Sequence, residues 1–578
     1  MAAILVTFIV FTLRLHFLQG AKILTLCFLG GSHYLLMDEV ARILQNSGHD
    51  VGMFYQIRED TLPGYKQQPS PYPVIAYSLK QQYIRNLKEG SVKYQKKILV
   101  NRNDPIYFSS YYDHLSYLCS ITLQQSNIFH ILKAEHYDIA VVEAFNPCSF
   151  LVADKLGLPY IAFYPEIFSN AAHLGLPSPV SYVPASGSHL SDRMDFFERV
   201  KNTFMSFFAP FADPIIDSSF SEVIEKNFPL DYRPSLYDLY KKAELWIYNV
   251  DFTIEFARPL LPNVQCIGGL LAKPAKPLSQ ELEDFISTSR DFGFIVVMLG
   301  SITLPVNFLK ELNDGFAKMP QKIIWRYDMS HWPQGLVIAP NVKLMDWLPQ
   351  NDLLGHPNVQ LLVTHGGLNS LMEAIYHGVP VVGIPLFEVG YDKMVRIEAK
   401  NMGKIISLDQ LQAERFVKTM QEVMRDERYK KSAMKQSVIR KSQPFPPDQQ
   451  LVRWVEHIIQ SGGGDHLRPY SYQQPIYQRY LLDVALFITG LIVSLLILRI
   501  VYNHCEKKVK DWIVSLQKQR RARMSRRGEL PTRQYTFYFR YVQVMERIYL
   551  GTGGPNIVRV QPTTPPMLIQ RKAKKTRK

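Results

Sequence analysis

The chain has only five cysteines in 578 residues. None stands in a C-x-x-C or comparable ligand spacing, so neither a zinc knuckle nor a redox pair is supported. Cys27, Cys119, Cys148 and Cys266 fall in the body and Cys505 lies beyond it. A disulfide among the first four is open, and the sequence does not assign it. No N-x-[S/T] sequon occurs, so the sequence gives no support for N-glycosylation. The body also lacks an excess of either charge. Asn503–Lys578 carries 19 Lys+Arg against 4 Asp+Glu, which accounts for the whole net charge of +15, and the remainder balances at 47 of each sign. That distribution argues against a nucleic-acid-binding body despite the basic composition.

Long hydrophobic runs are scarce, and there are two. Ala2–Gly20, AAILVTFIVFTLRLHFLQG, has no acidic residue and closes on small or polar residues. Residues 1–20 read as a cleaved secretory signal. Val484–Val501, VALFITGLIVSLLILRIV, is long enough to span a bilayer. Lys507, Lys508 and Lys510 follow it, and positive charge stays cytosolic. The expectation is a single-pass protein with its body in the lumen of the secretory pathway, a transmembrane helix at 484–501 and a basic cytosolic tail at 502–578.

What fills the body is strand alternating with helix. Lys22–Leu29 reads as a buried strand, Gly30-Gly31-Ser32-His33-Tyr34 as a turn, Leu36–Asn46 as an amphipathic helix and Val51–Tyr55 as the next strand. His33 thus sits in the loop after the first strand, where open α/β sheets carry functional groups. Strands at Tyr137–Val142 (ending on Glu143), Pro159–Tyr164, Glu244–Asn249 and Val264–Gly268 complete that sheet. Tyr72–Leu132 is aromatic-rich, and Asn170–Pro214 is poorly patterned; the latter suits a membrane-associating or acceptor-lining insertion. Pro- and Lys-rich residues 271–282 read as a linker. A second set of strands follows at Gly293–Met298, Lys322–Arg326, Val342–Trp347, Val359–Thr364 and Val379–Ile384. The pattern predicts an α/β protein with two doubly wound, Rossmann-like domains, 21–270 and 283–465, then a membrane-proximal segment at 466–483.

Val359–Pro385, VQLLVTHGGLNSLMEAIYHGVPVVGIP, is the most informative stretch. A buried strand runs into the small turn His365-Gly366-Gly367, and a helix over Leu368–His377 stops at Gly378. Free N–H groups and the dipole at such a helix start hold phosphate. On its own a Gly-Gly turn before a helix is weak evidence, because many unrelated α/β proteins have one.

Taken together, Trp347-Leu348-Pro349-Gln350, His365-Gly366-Gly367, Asn369-Ser370, Glu373-Ala374, His377-Gly378-Val379-Pro380 and Pro385-Leu386-Phe387 resemble the signature of UDP-glucuronosyltransferases and related UDP-glycosyltransferases. GGSHYLLMD, KAELWIYNVDF and EFARPLLPN resemble the subfamily that uses UDP-N-acetylglucosamine, UDP-glucose or UDP-xylose. The resemblance implies the two-domain GT-B fold, with nucleotide on the C-terminal domain and acceptor on the N-terminal one. It implies an inverting, metal-independent transfer from a UDP-sugar co-substrate to a hydroxyl of a small lipophilic acceptor, with no cofactor. It places the protein in the endoplasmic reticulum membrane and allows homo- or hetero-oligomers with family members.

By the same resemblance His33 is the general base and Glu143, where the family usually has Asp, orients it. Trp347 stacks on uracil and Gln350 bonds its edge or the ribose. His365, Gly367, Asn369, Ser370 and Ser301 surround the diphosphate, and Glu373 accepts from the ribose. One segment departs. The family's Gly-Asp-Gln, whose Asp and Gln bond the sugar, is replaced by Glu388-Val389-Gly390, leaving Glu388 and Asp392 as candidate sugar ligands. The departure keeps a second reading open, a catalytically weakened UDP-binding paralogue acting as a partner of active members.

Overall fold

The protein is described here from a computed structural model covering residues 20–57, 69–78, 105–168, 174–208, 213–289, 291–300, 304–386 and 388–527. The chain divides into two compact units, Met1–Gln473 and Gln474–Lys578.

Within the first unit, apolar runs form two parallel sheets. The first contains β1 (Lys22–Cys27), β2 (Asp50–Ile57), β3 (Val74–Ser78), β4 (Ile139–Glu143), β5 (Tyr160–Tyr164), β6 (Leu245–Tyr248) and β7 (Val264–Cys266). Their order is β3-β2-β1-β4-β5-β6-β7. The second contains β8 (Phe294–Met298), β9 (Lys322–Arg326), β10 (Val342–Met345), β11 (Val359–Thr364), β12 (Val381–Gly383) and β13 (Gly403–Ile405), in the order β10-β9-β8-β11-β12-β13. Both are doubly wound sheets. In each, the strand order reverses between the first strand and the fourth, β1 against β4 and β8 against β11. The crevice outside the C-terminal ends of strands at such a reversal is where open α/β sheets bind ligands.

The strands are continuous apolar runs because helices cover both faces. Leu24, Val142 and Trp246 of the first sheet and Val296, Leu362 and Val381 of the second belong to one buried apolar cluster, so the two sheets share packed material. Each fully buried Val or Leu contributes about 1.5–3 kcal/mol. The linker is pinned to the second sheet's side. Lys273 N–H donates to Asn351 Oδ1 (3.1 Å), and Lys276 N–H donates to Asp352 Oδ1 (2.9 Å). The helix Pro447–Gln460 packs Leu451, Val455 and Ile458 into the cluster holding Val40, Ala41 and Leu44 of the first sheet's leading helix.

Several elements differ from their sequence reading. The leading helix begins at Ser32, four residues early, because Gly31 takes a positive φ of 64° and turns the chain straight into it. His33 therefore lies in a helical first turn and not in an open loop. A helix at Phe196–Phe208 stands inside the poorly patterned insertion, exposing Phe197, Phe204 and Phe207. Another, Glu427–Lys441, is so rich in Lys and Arg that its apolar stripe is faint; it buries Tyr429, Ala433, Ser437 and Arg440.

Cys119 and Cys148 form a disulfide that joins the helix Pro105–Leu123 to the helix Pro147–Leu156, closing a separation of 29 residues. A loop of that length is worth about 3–4 kcal/mol by chain entropy. Replacing both cysteines by serine is expected to lower the urea midpoint accordingly. An unchanged midpoint would show the bridge to be dispensable.

The second unit, as far as Arg527, is mainly one helix, Leu482–Arg527. It is apolar enough over its first part to cross a membrane. At 1.5 Å per residue it spans about 70 Å, more than twice a hydrocarbon core of about 30 Å. The tail's first 26 residues, 502–527, are thus helical, their Lys, Arg, Gln and Leu being good helix formers. Most of the signal segment and residues 528–578 lie outside the described residues.

Candidate active site

The C-terminal ends of β1 and β4 bring two predicted residues together. Glu143 ends β4 and is fully buried. Its Oε1 lies 3.0 Å from His33 Nδ1 and accepts from Phe145 N–H (3.2 Å), while Oε2 accepts from Asn146 N–H (3.2 Å). The two backbone donors fix the carboxylate in place. Because the carboxylate only accepts, Nδ1 carries the proton and the neutral ring's Nε2 is left as an acceptor. The His33 side chain stays 22% exposed, so that nitrogen is reachable. Burial would lower the imidazole's pKa, but the hydrogen bond and charge of Glu143 together outweigh burial and hold it above its ordinary value.

At the other strand reversal, β11 runs into His365-Gly366-Gly367 and the helix Leu368–His377. Gly366 has φ 93°, which a side chain would strain. His365 Nδ1–H donates to the Met298 carbonyl (3.1 Å). Its ring lies over Gly300, where an added Cβ would come within 3.4 Å. Burial pushes the His365 pKa down to about 4, so the ring is neutral at pH 7. Gly367 is the N-cap, which leaves the first N–H groups of the helix without a side-chain partner and open to an anion.

A few residues along, three side chains form one hydrogen-bonded group. Ser370 Oγ–H donates to Gln350 Oε1 (3.1 Å), and Gln350 Nε2–H donates to Glu373 Oε2. Glu373 is buried, and burial raises its pKa to about 8. Asn369 Oδ1 accepts from Asn249 Nδ2 (3.3 Å), a residue following β6 of the first sheet. Trp347 lies two residues past the end of β10 and is half-buried.

Ser301 and the Glu388 side chain lie outside the described residues. Asp392 is engaged elsewhere: Oδ2 accepts from Gly187 N–H (2.6 Å) and Oδ1 from His189 N–H (3.1 Å). Its carboxylate thereby joins the helix Glu388–Ala399 to the 187–189 turn of the first sheet's side. The same helix supplies Lys393, whose Nζ meets Glu166 Oε2 at 2.7 Å, and Arg396, whose Nε meets Glu255 Oε2 at 3.0 Å. Sequence reading missed these pairs. The only available signal was a run of three charges, Asp392, Lys393 and Arg396, on a helix that must bury most of its surface.

Two doubly wound sheets thus meet at their strand ends. One offers an imidazole–carboxylate pair and the other a glycine turn at a helix N-terminus. That combination defines a nucleotide-sugar glycosyltransferase of the GT-B kind. A family model described as UDP-glucoronosyl and UDP-glucosyl transferase matches residues 21–520. "UDP-glucuronosyltransferase 3A1" of Xenopus laevis is 54% identical over 482 residues, 82% of this chain and 91% of that protein. "UDP-glucuronosyltransferase 3A2" of Homo sapiens is 45% identical, again over 82% of this chain and 91% of its own length. The mouse "2-hydroxyacylsphingosine 1-beta-galactosyltransferase" is 33% identical over 83% of this chain and 87% of that protein. Among solved structures, Os79 from O. sativa in complex with UDP superposes with a TM-score of 0.53 at 16% identity, covering 75% of this chain and 99% of Os79. The chain belongs to the UDP-glucuronosyltransferase family, and it is a UDP-glycosyltransferase.

Proposed function

We propose that this enzyme moves a sugar from a UDP-sugar to a hydroxyl of a small lipophilic acceptor with inversion at the anomeric carbon. The observation that carries the reading is the 3.0 Å contact of His33 Nδ1 with a buried, doubly anchored Glu143. The acceptor's proton passes to His33 Nε2 as its oxygen bonds to the anomeric carbon. The bond from that carbon to the β-phosphate oxygen breaks on the opposite face, and its electron pair leaves with UDP. Glu143 stabilises the imidazolium that forms. The charge growing on UDP meets N–H groups at the start of the helix Leu368–His377, so positioned dipoles supply the stabilisation and no metal is needed. Trp347 and Gln350 hold the base, with Glu373 on the ribose and Asn369 and Ser370 at the helix start. A panel of UDP-sugars incubated with lipophilic alcohols and the full chain in microsomes tests the reading; UDP binding without turnover of any sugar would contradict it.

Glu373 gives this reading a second, independent test. Its carboxyl is largely protonated at neutral pH in the free chain, with a pKa of about 8. Accepting from ribose hydroxyls favours the ionised form, so UDP binding lowers this pKa and releases a proton. The Glu373 contribution to UDP affinity therefore grows as pH rises from 6 to 8. Glu373→Gln is expected to weaken UDP binding by about 1–3 kcal/mol at pH 8 and to flatten this part of the pH dependence. Parallel titrations of both proteins would show it, and identical curves would remove Glu373 from the site.

The reading also covers location. We propose the endoplasmic reticulum membrane as its location, with the body in the lumen and the tail in the cytosol, an orientation that the basic residues after the apolar helix support. The Cys119–Cys148 bridge suits that oxidising compartment.

A further inference from the structure

The helix Phe196–Phe208, FFERVKNTFMSFF, has its faces reversed. It starts from a reciprocal cap: Glu198 N–H donates to Asp195 Oδ1, and Asp195 N–H donates to Glu198 Oε2, both at 2.8 Å. At about 100° per residue, Phe196, Phe197, Val200, Phe204, Phe207 and Phe208 fall within one arc of about 120°, and no other residue of the helix falls there. A surface helix ordinarily turns such an arc to the core. Here the six residues are 39–78% exposed.

The side that is buried is polar. Asn202 lies opposite the arc and is fully buried. Its Oδ1 accepts from Ala185 N–H (2.6 Å), and its Nδ2 donates to the carbonyls of Val180 (2.9 Å) and Val183 (2.8 Å). Rolling the helix to hide the arc would break all three bonds, so the orientation is fixed. The loop that Asn202 grips runs on to Gly187 and His189, whose N–H groups donate to Asp392. The arc is therefore mounted on the folded body. It amounts to roughly 700 Å² of apolar surface, where the largest patch on a soluble monomer is about 300–600 Å².

One apolar phase is tethered to this body. Only Gln474–Leu481 separates Gln473 from the helix that is apolar enough to cross a membrane, a reach of about 30 Å when extended. A bilayer holding that helix is the surface the arc meets at the highest effective concentration. The composition suits the same surface. Phe fills the apolar arc, and every charge of the helix, Glu198, Arg199 and Lys201, lies outside it. That is the pattern of a helix lying in a membrane interface.

We infer that the helix Phe196–Phe208 is a second membrane contact of this protein, carried by the body itself, and that its apolar arc rests in the leaflet on the body's side. The apolar helix at Leu482 holds the chain to the bilayer, and the arc sets which face of the body meets it.

The full chain in lipid nanodiscs tests this. Cys505, the exposed free cysteine among the described residues, is replaced (Cys505→Ser), and Phe204→Cys is labelled with an environment-sensitive fluorophore. Lipids carrying a nitroxide just below the headgroup are expected to quench at least about half of the emission, because an interfacial helix buries its apolar face about 5–10 Å into the headgroup–acyl boundary. Adding Phe197→Ser and Phe207→Ser is expected to restore most of the emission while leaving the thermal midpoint in place. Emission indifferent to the lipid nitroxide would overturn the inference. In that event, copies cross-linking through residue 204 would assign the arc to a second copy, and emission that responds to a lipophilic acceptor alone would make it a cover for the acceptor. Quenching that survives both serine changes would show that the arc does not seat the helix, and would overturn the inference equally.

Discussion

Replacing His33 by alanine is expected to lower sugar transfer by on the order of 10²–10⁴-fold, while UDP binding stays as it was. The two halves of that expectation come from different parts of the fold. His33 sits in the first turn of the helix after β1, and the proposed nucleotide site lies at the start of the helix after β11. Removing a group that acts only as the acceptor hydroxyl loses its proton lowers kcat and kcat/KM together. A variant that lost UDP affinity in step with turnover would point to a collapsed cleft instead. Direct binding measurements separate the two results. If transfer survived at the wild-type rate, His33 would not be the base.

The second large effect is expected from Glu143→Gln, a change of one atom. Both carboxylate oxygens face N–H donors: Oε1 takes His33 Nδ1 and Phe145 N, and Oε2 takes Asn146 N. An amide has one oxygen for these two positions. With its oxygen toward His33, its NH₂ faces the Asn146 N–H and a buried bond is lost. With its NH₂ toward His33, the imidazole must accept at Nδ1 and carry its proton on Nε2, where it cannot act as a base. Either outcome also removes the charge that stabilises the imidazolium. The expected loss is on the order of 10²–10⁴-fold in kcat. The pH profile moves too. In the wild type the Glu143 interaction holds the His33 pKa above its ordinary value, so activity rises through that raised pKa as pH increases. In the variant the rise comes at lower pH and reaches a much lower plateau. A lower plateau without displacement would mean that Glu143 acts on stability alone.

Much of this site is legible in the sequence because it is local. The strand Val359–Thr364 and the helix Leu368–His377 appear at the expected residues. Buried parallel strands are apolar throughout, and Gly378, at φ 66°, ends the helix as a left-handed cap. The structure also brings His33 to Glu143 across 110 positions, because strand order puts β4 beside β1. What stays hidden is pairing between segments that no periodicity links. The bond between Cys119 and Cys148 depends on how two helices lie over one sheet. The meeting of Lys393 with Glu166 depends on how the two sheets face each other. Asp392 shows the cost of reading by position alone. Near the family's sugar ligands in sequence, it spends both oxygens on the Gly187 and His189 backbone. The helix Glu427–Lys441 is obscured differently, since a surface crowded with Lys and Arg masks its four buried positions.

The configuration of the product's anomeric carbon tests the account most directly. The full chain is supplied with an α-linked UDP-sugar and a lipophilic alcohol, and the glycoside formed is read by proton NMR. A single in-line displacement, with His33 on one face and UDP leaving from the other, predicts a β-glycoside. An α-glycoside would require two displacements or front-face attack. It would contradict the role given to the His33–Glu143 pair.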